Sequence, residues 1–376
     1  SPSSGGQYNW TSLFAPQNAQ KLLSYIVGWL TVLGWQVGLA SVCYAATSQI
    51  QGLVLLIYPH CTFHGWHTSL MTVAVALCVV LFNTVLVSAL PTLEFMLLVL
   101  HFAAYFAFMF VLGFMGPTST SAEVFRTWEN QNEWPSTATA VLIGIIASIT
   151  TLTSADSICH LAEELQDASR WLPRVMVAAA VSNFTFAFAL LIMILYRAGD
   201  IQAAIDSPTG QPYIAILLNA TGSVTGTAIL VGYIVLALLF CATNLVTTSS
   251  RQLFSFARDQ GVPFWKYLSQ VSEKSHVPVR AIAATVSVTI GLSVMLTGSS
   301  LAFNIIASLG GVAILGSYLV SVSALVYQRL CGSKLPRTDF SLGRYGLPIN
   351  LATIVFDLFA FIMVCTAFLK YYHQDY

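Results

Sequence analysis

A carboxylic acid lies inside a stretch of the chain that is otherwise apolar enough to cross a bilayer. The stretch is Ile143–Leu165, IGIIASITTLTSADSICHLAEEL, and the acid is Asp156. Six of the ten residues from 148 to 157 are Ser or Thr, whose hydroxyls can bond backbone groups that an interrupted helix leaves free. Acids inside a membrane typically line a solute or ion pathway. The pattern predicts a broken membrane helix beside such a pathway; the alternative is a helix that simply ends at the aqueous boundary.

The composition excludes a soluble domain. Of 376 residues, 56% are apolar and 8% are charged, the mean hydropathy is +0.76, and no charged residue stands between Lys21 and Glu94. So little charge cannot keep a domain of this size dispersed in water. We therefore expect an all-α polytopic protein embedded in the lipid bilayer. The net charge is zero and no basic tract is present, so we do not expect nucleic acid as a partner.

The spans carry no catalytic constellation. They contain no nucleophile-base pairing, phosphate loop or zinc-protease motif, so we expect neither an enzyme nor a cofactor. The turn Pro59–His67, PHCTFHGWH, holds three His and one Cys, but no carboxylate stands nearby to support a metal, and His and Trp are common at membrane interfaces. We expect no metal there. The seven Cys lie mostly in apolar runs, which does not support a disulfide framework.

Nine apolar runs are candidate membrane spans, judged against the roughly 20 residues that cross about 30 Å of hydrocarbon. The first uncharged run continues to Tyr58, so its helix must tilt strongly or end before Ala46–Gly52. Gly298–Ser300 leave only a tight turn between the seventh and eighth spans. A cytoplasmic lead-in, 1–21, precedes the spans of a single transmembrane domain, 1–376. The spans are predicted at about 22–46, 67–89, 94–115, 137–158, 174–196, 225–248, 279–297, 300–327 and 347–369.

The distribution of basic residues predicts the orientation. With the first connection placed inside, the outer connections hold only Arg126, Arg197 and Lys370 of the 15 Lys and Arg residues. Positive charge concentrates on the cytoplasmic side, so we expect Ser1 in the cytosol and, after nine spans, Tyr376 outside. The chain opens SPSSGGQYNW without a Met or a signal-peptide pattern, and we expect a chain that was cut or processed at its front.

Six blocks carry a resemblance to a known family. They are GGQYNW at 5–10, GWLTVLGWQ at 28–36, DSICHLAEEL at 156–165, SSRQLFSFARDQGVPF at 249–264, GSSLAFN at 298–304 and LGRYGLPIN at 342–350. In this order they resemble fungal amino acid, GABA and choline permeases of the amino acid, polyamine and organocation (APC) superfamily. The resemblance covers essentially the whole chain. Its blocks are specific to the family, though not to one substrate.

The resemblance implies a LeuT-like fold, in which two five-helix repeats of opposite orientation pair their broken first helices around the solute. GGQYxW precedes the third helix of such proteins, so the chain resembles helices three to eleven, with the first two and a twelfth missing. Ser154 stands where family members often have Gly, which unwinds more readily. The implied function is secondary active transport of amino acids or related amines, coupled to protons, in the plasma membrane or alternatively the vacuolar membrane. A truncated, transport-inactive relative is the alternative.

The resemblance and the physics of a broken helix together indicate site residues. Free amides and carbonyls at a mid-membrane break can hold the carboxylate or ammonium group of a solute. Trp35 can offer a cation-π face to an ammonium group, with an ordinary packing role as the alternative. The expected substrate-binding residues are Trp35, Gln36, Thr150, Thr153, Ser154, Ala155, Thr243, Asn244 and Asn304.

A second set of residues is expected to act as a gate or a proton relay. Asp156, His160 and Glu164 are spaced four apart and would share one α-helical face, whereas ordinary helix capping is the alternative for Glu163 and Glu164. The block 249–264 is predicted to form a short amphipathic helix stopped by Gly and Pro. Its charges would pair with the acids after the break and close an inner gate. The set is Asp156, His160, Glu164, the pair Glu94 and His101, and Arg251, Arg258 and Asp259.

Overall fold

The computed structural model describes residues 3–128, 130, 134–153, 155–273, 277–331 and 340–374. Within these ranges the chain is built from helices and turns, without a strand. The first half contains α1 (Gln7–Phe14), α2 (Gln20–Ile57), α3 (Gly65–Thr84), α4 (Leu90–Met115), α5 (Ser121–Arg126), α6 (Thr137–Leu152), a 3-10 helix (Ser157–Glu164) and α7 (Ala168–Arg197). The second half contains α8 (Ile201–Ile205), α9 (Pro212–Thr221), α10 (Val224–Arg258), α11 (Trp265–Leu268), α12 (Val279–Val294), α13 (Ser300–Cys331) and α14 (Gly346–Gln374), with short 3-10 turns at Met295–Thr297 and Gly343–Tyr345.

Eight helices of the described chain are long and apolar enough to cross a membrane: α2, α3, α4, α7, α10, α12 with its 3-10 turn, α13 and α14. The fourth predicted span instead contains α6, which has 16 residues and is too short to cross as a regular helix. The protein is an integral, multi-pass membrane protein with an all-α fold, as its composition predicted.

The helices divide into a packed centre and an outer layer. α2 packs against α3, α10, α12 and α13, and the largest cluster of buried apolar side chains joins α2, α3, α10 and α12 around Leu39, Val79, Val246 and Ile282. In contrast, the most apolar window of α7 has no buried residue, and only 17% of that of α4 is buried. Most of the apolar surface of α4 and α7 is not covered by the rest of the described chain, so these two helices form an outer layer beside the centre.

Two helices continue further than their apolar runs suggested, and for α2 this excludes the early end, one of its two alternatives. α2 does not end before Ala46–Gly52 but continues to Ile57, 38 residues or about 57 Å. α10 does not end at 248 but runs to Arg258, so the block 249–264 is not a separate amphipathic helix. Hydroxyl side chains in both helices bond a carbonyl of the preceding turn, as Thr47 does to Cys43 and Ser250 to Thr247. These hydroxyls do not stop either helix, and each helix ends only two or three residues before a helix breaker, Pro59 after α2 and Gly261 after α10.

The lead-in at 1–21 is not a loose tail. Its residues form α1, which packs against α2 and α13, with Gln7 and Thr11 fully buried. The Thr11 hydroxyl bonds the Ser321 hydroxyl on α13 at 2.9 Å. A polar helix is therefore inserted among the ends of the long helices, next to the 3-10 helix that follows α6.

Candidate functional site

The opening stretch is a broken helix. α6 ends at Leu152, Thr153 is extended (φ −68°, ψ 163°), and the chain resumes as a 3-10 helix at Ser157. The Thr153 hydroxyl turns back and donates to the carbonyl of Ile149 at 2.6 Å. The predicted break is confirmed. The expectation about Ser154 falls outside the described residues.

Asp156 lies directly after the break and is 3% exposed. One of its carboxylate oxygens accepts a hydrogen bond from the Gln7 amide of α1, and the other accepts one from the Tyr318 hydroxyl of α13. Bonds to a charged acceptor are strong, so a carboxylate with both oxygens bonded can remain buried. Asp156 thereby ties the broken helix to two other elements.

His160 lies one turn further on and is 1% exposed. Its Nδ1 is 2.8 Å from the Ser4 carbonyl oxygen, which requires Nδ1 to be the donor. Its ring meets Trp35 of α2 edge-on, with 5.6 Å between the ring centroids. A side chain at Gly6 would meet it too, since a Cβ there would lie 3.0 Å from the imidazole, and Gly6 has φ +55°. Burial lowers the pKa of His160, against the effect of the nearby Asp156, and favours the neutral imidazole.

Two ion pairs join the end of the 3-10 helix to the end of α10. Arg258 holds Glu163 with two bonds of 2.8 and 2.9 Å, and Arg251 holds Glu164. The Arg258 bonds, the largest effect, lower the pKa of the Glu163 carboxyl from 4.5 to about 2. The expected ion pairs are therefore present, whereas the interpretation of Glu163 and Glu164 as ordinary caps was wrong.

Residues of the N-terminal segment complete this arrangement. The Ser4 hydroxyl donates to Glu163 at 2.7 Å, and the Tyr8 hydroxyl donates to Asp259 at 2.8 Å while contacting the Ser255 hydroxyl at 2.9 Å. Burial raises the pKa of Tyr8 and keeps it a donor. We use the name inner network for these connected residues on the predicted cytoplasmic side: Ser4, Gln7, Tyr8, Asp156, His160, Glu163, Glu164, Arg251, Ser255, Arg258, Asp259 and Tyr318.

Asp156, His160 and Glu164 do not form the predicted relay along one α-helical face. The segment is a 3-10 helix, in which residues three apart, not four apart, are aligned. The three side chains accordingly take separate partners: Asp156 those on α1 and α13, His160 the N-terminal segment, and Glu164 Arg251.

Glu94 and His101 do not pair with each other either. The Glu94 carboxylate accepts from Asn244 at 3.3 Å, and the His101 imidazole bonds the Tyr233 hydroxyl at 2.6 Å. Both partners lie on α10. The prediction used spacing along α4 alone, but each side chain finds a polar partner on the neighbouring helix instead.

The expected substrate-binding residues do not converge on one place. Gln36 donates to Thr285 of α12 at 3.0 Å, and Thr243 accepts at its carbonyl from Asn83 of α3 at 2.9 Å. The side chains of consecutive helical residues point about 100° apart. The side chains of Trp35 and Gln36 therefore point in different directions, and so do those of Thr243 and Asn244.

The remaining expected residues are placed as follows. Trp35 lies beside His160, and Thr153 and Ala155 are half-buried at the break. Asn304 is exposed in the first turns of α13. Thr150 belongs to α6, but its side chain lies outside the described part, as does Ser154. Sequence reasoning missed Gln7 and Tyr318; the only available signal for Gln7 was its place in the GGQYNW block.

Comparison with known proteins agrees with this architecture. Residues 1–370 match the family model described as amino acid permease. A Macrophomina phaseolina protein, named as a candidate amino acid/polyamine transporter, is 32% identical over 96% of this chain and 80% of its own length. Two Saccharomyces cerevisiae proteins, the choline transporter and the GABA-specific permease, are each 25% identical over 96% of this chain. The chain belongs to the amino acid permease family, which confirms the resemblance seen in its sequence.

The two yeast relatives are longer than this chain. The chain spans 63% of the length of the choline transporter and 64% of that of the GABA-specific permease. All three names describe transporters rather than enzymes, in agreement with the expectation from the motifs.

Proposed function

We propose that the protein is a secondary active transporter of amino acids or related amines such as GABA or choline, driven by protons. Two supports are independent of each other. The names of the relatives supply the substrate class. The interruption of α6, with Asp156 buried directly after it, supplies a place where backbone groups are free to meet a solute.

The two sides of the break offer opposite partial charges. The last carbonyls of α6 have no further helical donors and carry the negative end of the helix dipole, which suits an ammonium group. The amides at the start of the 3-10 helix suit a carboxylate. A zwitterionic or cationic solute with its charged groups at the break would therefore be held chiefly by main-chain groups, with Thr153 and Ala155 beside it.

The inner network would act as the gate on the cytoplasmic side. It joins the N-terminal segment, the 3-10 helix, α10 and α13 by bonds that each span at least 87 positions of sequence. The Arg258–Glu163 pair is half-exposed on both sides and Glu164 is exposed, and surface ion pairs contribute only about 0.2–1 kcal/mol each. Separating the ion pairs at the outer edge of this gate needs the loss of only a few weak bonds rather than the unfolding of a core, as alternating access requires.

The single observation that carries the proposal is Asp156, a buried acid at a break that is held by donors from both α1 and α13. The test is uptake of labelled GABA, choline and amino acids by permease-deficient yeast that express the chain. We expect uptake by the wild type, background uptake for Asp156→Ala, and wild-type uptake for Asp206→Asn, an exposed loop acid. Microscopy of a tagged chain would separate the plasma membrane, our proposed location, from the vacuole.

Two results would contradict the proposal. One is a wild-type chain that reaches the membrane but takes up none of these solutes. The other is unchanged uptake by Asp156→Ala at equal protein level, because an acid with no role in the cycle would then occupy the break.

A further inference from the structure

α14 carries a further acid within a helix that is long and apolar enough to span a membrane. Asp357 lies near the middle of the spanning part of α14, Gly343–Ala367, and is 6% exposed. Its buried Oδ2 has no hydrogen-bond partner among the residues that the structure describes. Buried polar atoms are nearly always bonded, and intramembrane acids are rare and functional. An acid in this position therefore needs an explanation that packing does not supply.

The side of α14 that carries Asp357 faces protein rather than lipid. Asp357, Ala360 and Val364 stand at positions i, i+3 and i+7, which share one helical face. Ala360 and Val364 pack against Leu315 of α13 and Ile149 of α6. Tyr318 lies one turn after Leu315 on α13 and therefore on the same side of that helix. Asp357 thus faces the end of α6 and the tyrosine that bonds Asp156.

No cation among the described residues neutralises Asp357. α6 contains no ionisable residue. On α13 the ionisable groups are Tyr318, Tyr327, Arg329 and Cys331. The guanidinium of Arg329 lies beside Gly346 and Asn350, and the nearer of these is seven positions before Asp357, about 10 Å along the helix. Arg344 at the start of α14 lies over the Tyr345 ring at 4.9 Å. An isolated carboxylate in such a place is strongly disfavoured, and such a group takes up a proton instead.

We propose that Asp357 carries the coupling proton of the transport cycle. This inference rests on the proposed function and names the group that would couple it to protons. In the closed structure Asp357 is a neutral carboxylic acid. When the inner side opens, its O–H bond breaks, the proton passes to cytoplasmic water, and the carboxylate remains. When the outer side opens, a proton from outside water restores the O–H bond, so that one proton crosses in each cycle.

Tyr318 makes this site more than an isolated acid. Its hydroxyl donates to Asp156, and Tyr318 lies one turn from Leu315, the residue of α13 that packs against the face of α14 on which Asp357 stands. An ionised Asp357 would attract the same hydroxyl proton. Loss of the Asp357 proton would therefore weaken the hold on Asp156, whose bonds close the break, and would connect proton release to opening.

The first experiment separates coupling from solute movement. In vesicles that contain the purified chain, uphill accumulation driven by a pH gradient is compared with exchange of labelled for unlabelled solute. We expect Asp357→Asn, which imitates the protonated acid, to lose accumulation by about tenfold for each unit of imposed pH gradient but to retain exchange. Asp357→Glu should keep both activities, and Asp206→Asn is the matched control. Accumulation by Asp357→Asn equal to that of the wild type, or equal loss of exchange, would overturn the proposal.

A second experiment requires no transport. Infrared spectroscopy of the purified protein should show the carbonyl stretch of a buried protonated carboxylic acid, which is absent in Asp357→Asn and present in Asp206→Asn. A wild type without this band, or a band that persists in Asp357→Asn, contradicts the inference. If the band is present but the wild type transports no solute, the proposed function fails while the proton on Asp357 is supported.

Discussion

Two sets of polar contacts hold the long helices of this protein together, and they differ in charge and exposure. The first set, which we call the neutral set, joins α2, α3, α10 and α12 through amides and hydroxyls inside the apolar centre. It comprises the bonds Thr72 to Thr47, Asn83 to Thr243, Thr247 to Asn83, Gln36 to Thr285 and Ser69 to Ser293. The second set is the inner network, whose outer bonds are ion pairs with side chains up to 56% exposed.

This difference in charge and exposure indicates which contacts can separate during a conformational change. A buried amide that loses its partner cannot reach water and costs about 1–3 kcal/mol. A half-exposed Arg or Glu exchanges its partner for water at a cost of about 0.2–1 kcal/mol. α10 takes part in both sets, with the neutral set along its middle and the inner network at its last turns. The middle therefore belongs to a fixed scaffold, whereas contacts at its end can form and separate.

The largest expected effect is in the neutral set. Asn83→Ala leaves the Thr243 carbonyl and the Thr247 hydroxyl without their amide partner, and we expect destabilisation of about 3 kcal/mol, since each orphaned group costs about 1–3 kcal/mol. The measurement is the melting temperature of the purified protein in detergent. Asn304→Ala, an exposed position, is the control. Equal melting temperatures for the two variants would show that the neutral set is not a fixed scaffold, as the comparison with the inner network assumes.

A packing change at the base of the inner network should have a somewhat smaller effect. A Cβ at Gly28 would lie 2.3 Å from the Phe256 ring, and that ring packs on Tyr8 with centroids 5.2 Å apart. Gly28→Ala should destabilise by about 1–3 kcal/mol, and adding Phe256→Leu should restore part of the loss. Gly38→Ala on the same helix meets no atom within 4 Å and should not lower the melting temperature. Identical behaviour of the two glycine variants would show that Phe256 is not tightly held.

Removal of an ion pair should change kinetics more than stability. For Arg258→Ala we expect a stability loss below about 1 kcal/mol and a shift of up to about fivefold in the balance between closed and open forms, measured as altered exchange kinetics. The charge-swapped chain with Glu163→Arg and Arg258→Glu should recover the wild-type rate. If Arg258→Ala leaves both uptake and exchange unchanged, the ion pair does not gate.

The smallest expected effect is a change of melting temperature with pH, which shows whether His160 or Glu163 is responsible. The pKa of Glu163 is lowered to about 2, so its ion pair is complete above 4.5 and is lost only as the pH falls towards 2. The pKa of His160 is lowered by burial, so its contribution to the closed form is complete above its ordinary 6.5 and declines at lower pH. Between about pH 7.5 and pH 5.5 the melting temperature should fall in the wild type and in Glu163→Gln, but less in His160→Gln. If Glu163→Gln abolished this fall in melting temperature, the pH dependence would belong to Glu163 and not to His160.

Local features of the chain predicted several parts of this arrangement. The break near Thr153 was visible because a short run of Ser and Thr with one acid has no place in a regular apolar helix. The charges of Arg251, Arg258, Glu163 and Glu164 predicted the ion pairs because opposite charges on two loops of one side attract wherever those loops meet. The helix ends were less predictable, since serine and threonine within α2 and α10 bond their own backbone and do not stop the helix.

Side-chain direction and distant partners were beyond the reach of the sequence. Gln7 and Tyr318 are separated from Asp156 by 149 and 162 positions, and nothing local in either residue marks it as a partner of that acid. Gln36 and Asn244 were assigned to the solute by their type, but the rotation of α2 and α10 turns them towards other helices. The amino-acid order alone established a polytopic membrane protein with an acid at a broken helix, because composition and apolar run length are local properties. The resemblance of its motif blocks indicated the permease family. Which groups bond that acid depended on how the helices rotate and pack, which is a property of the whole chain.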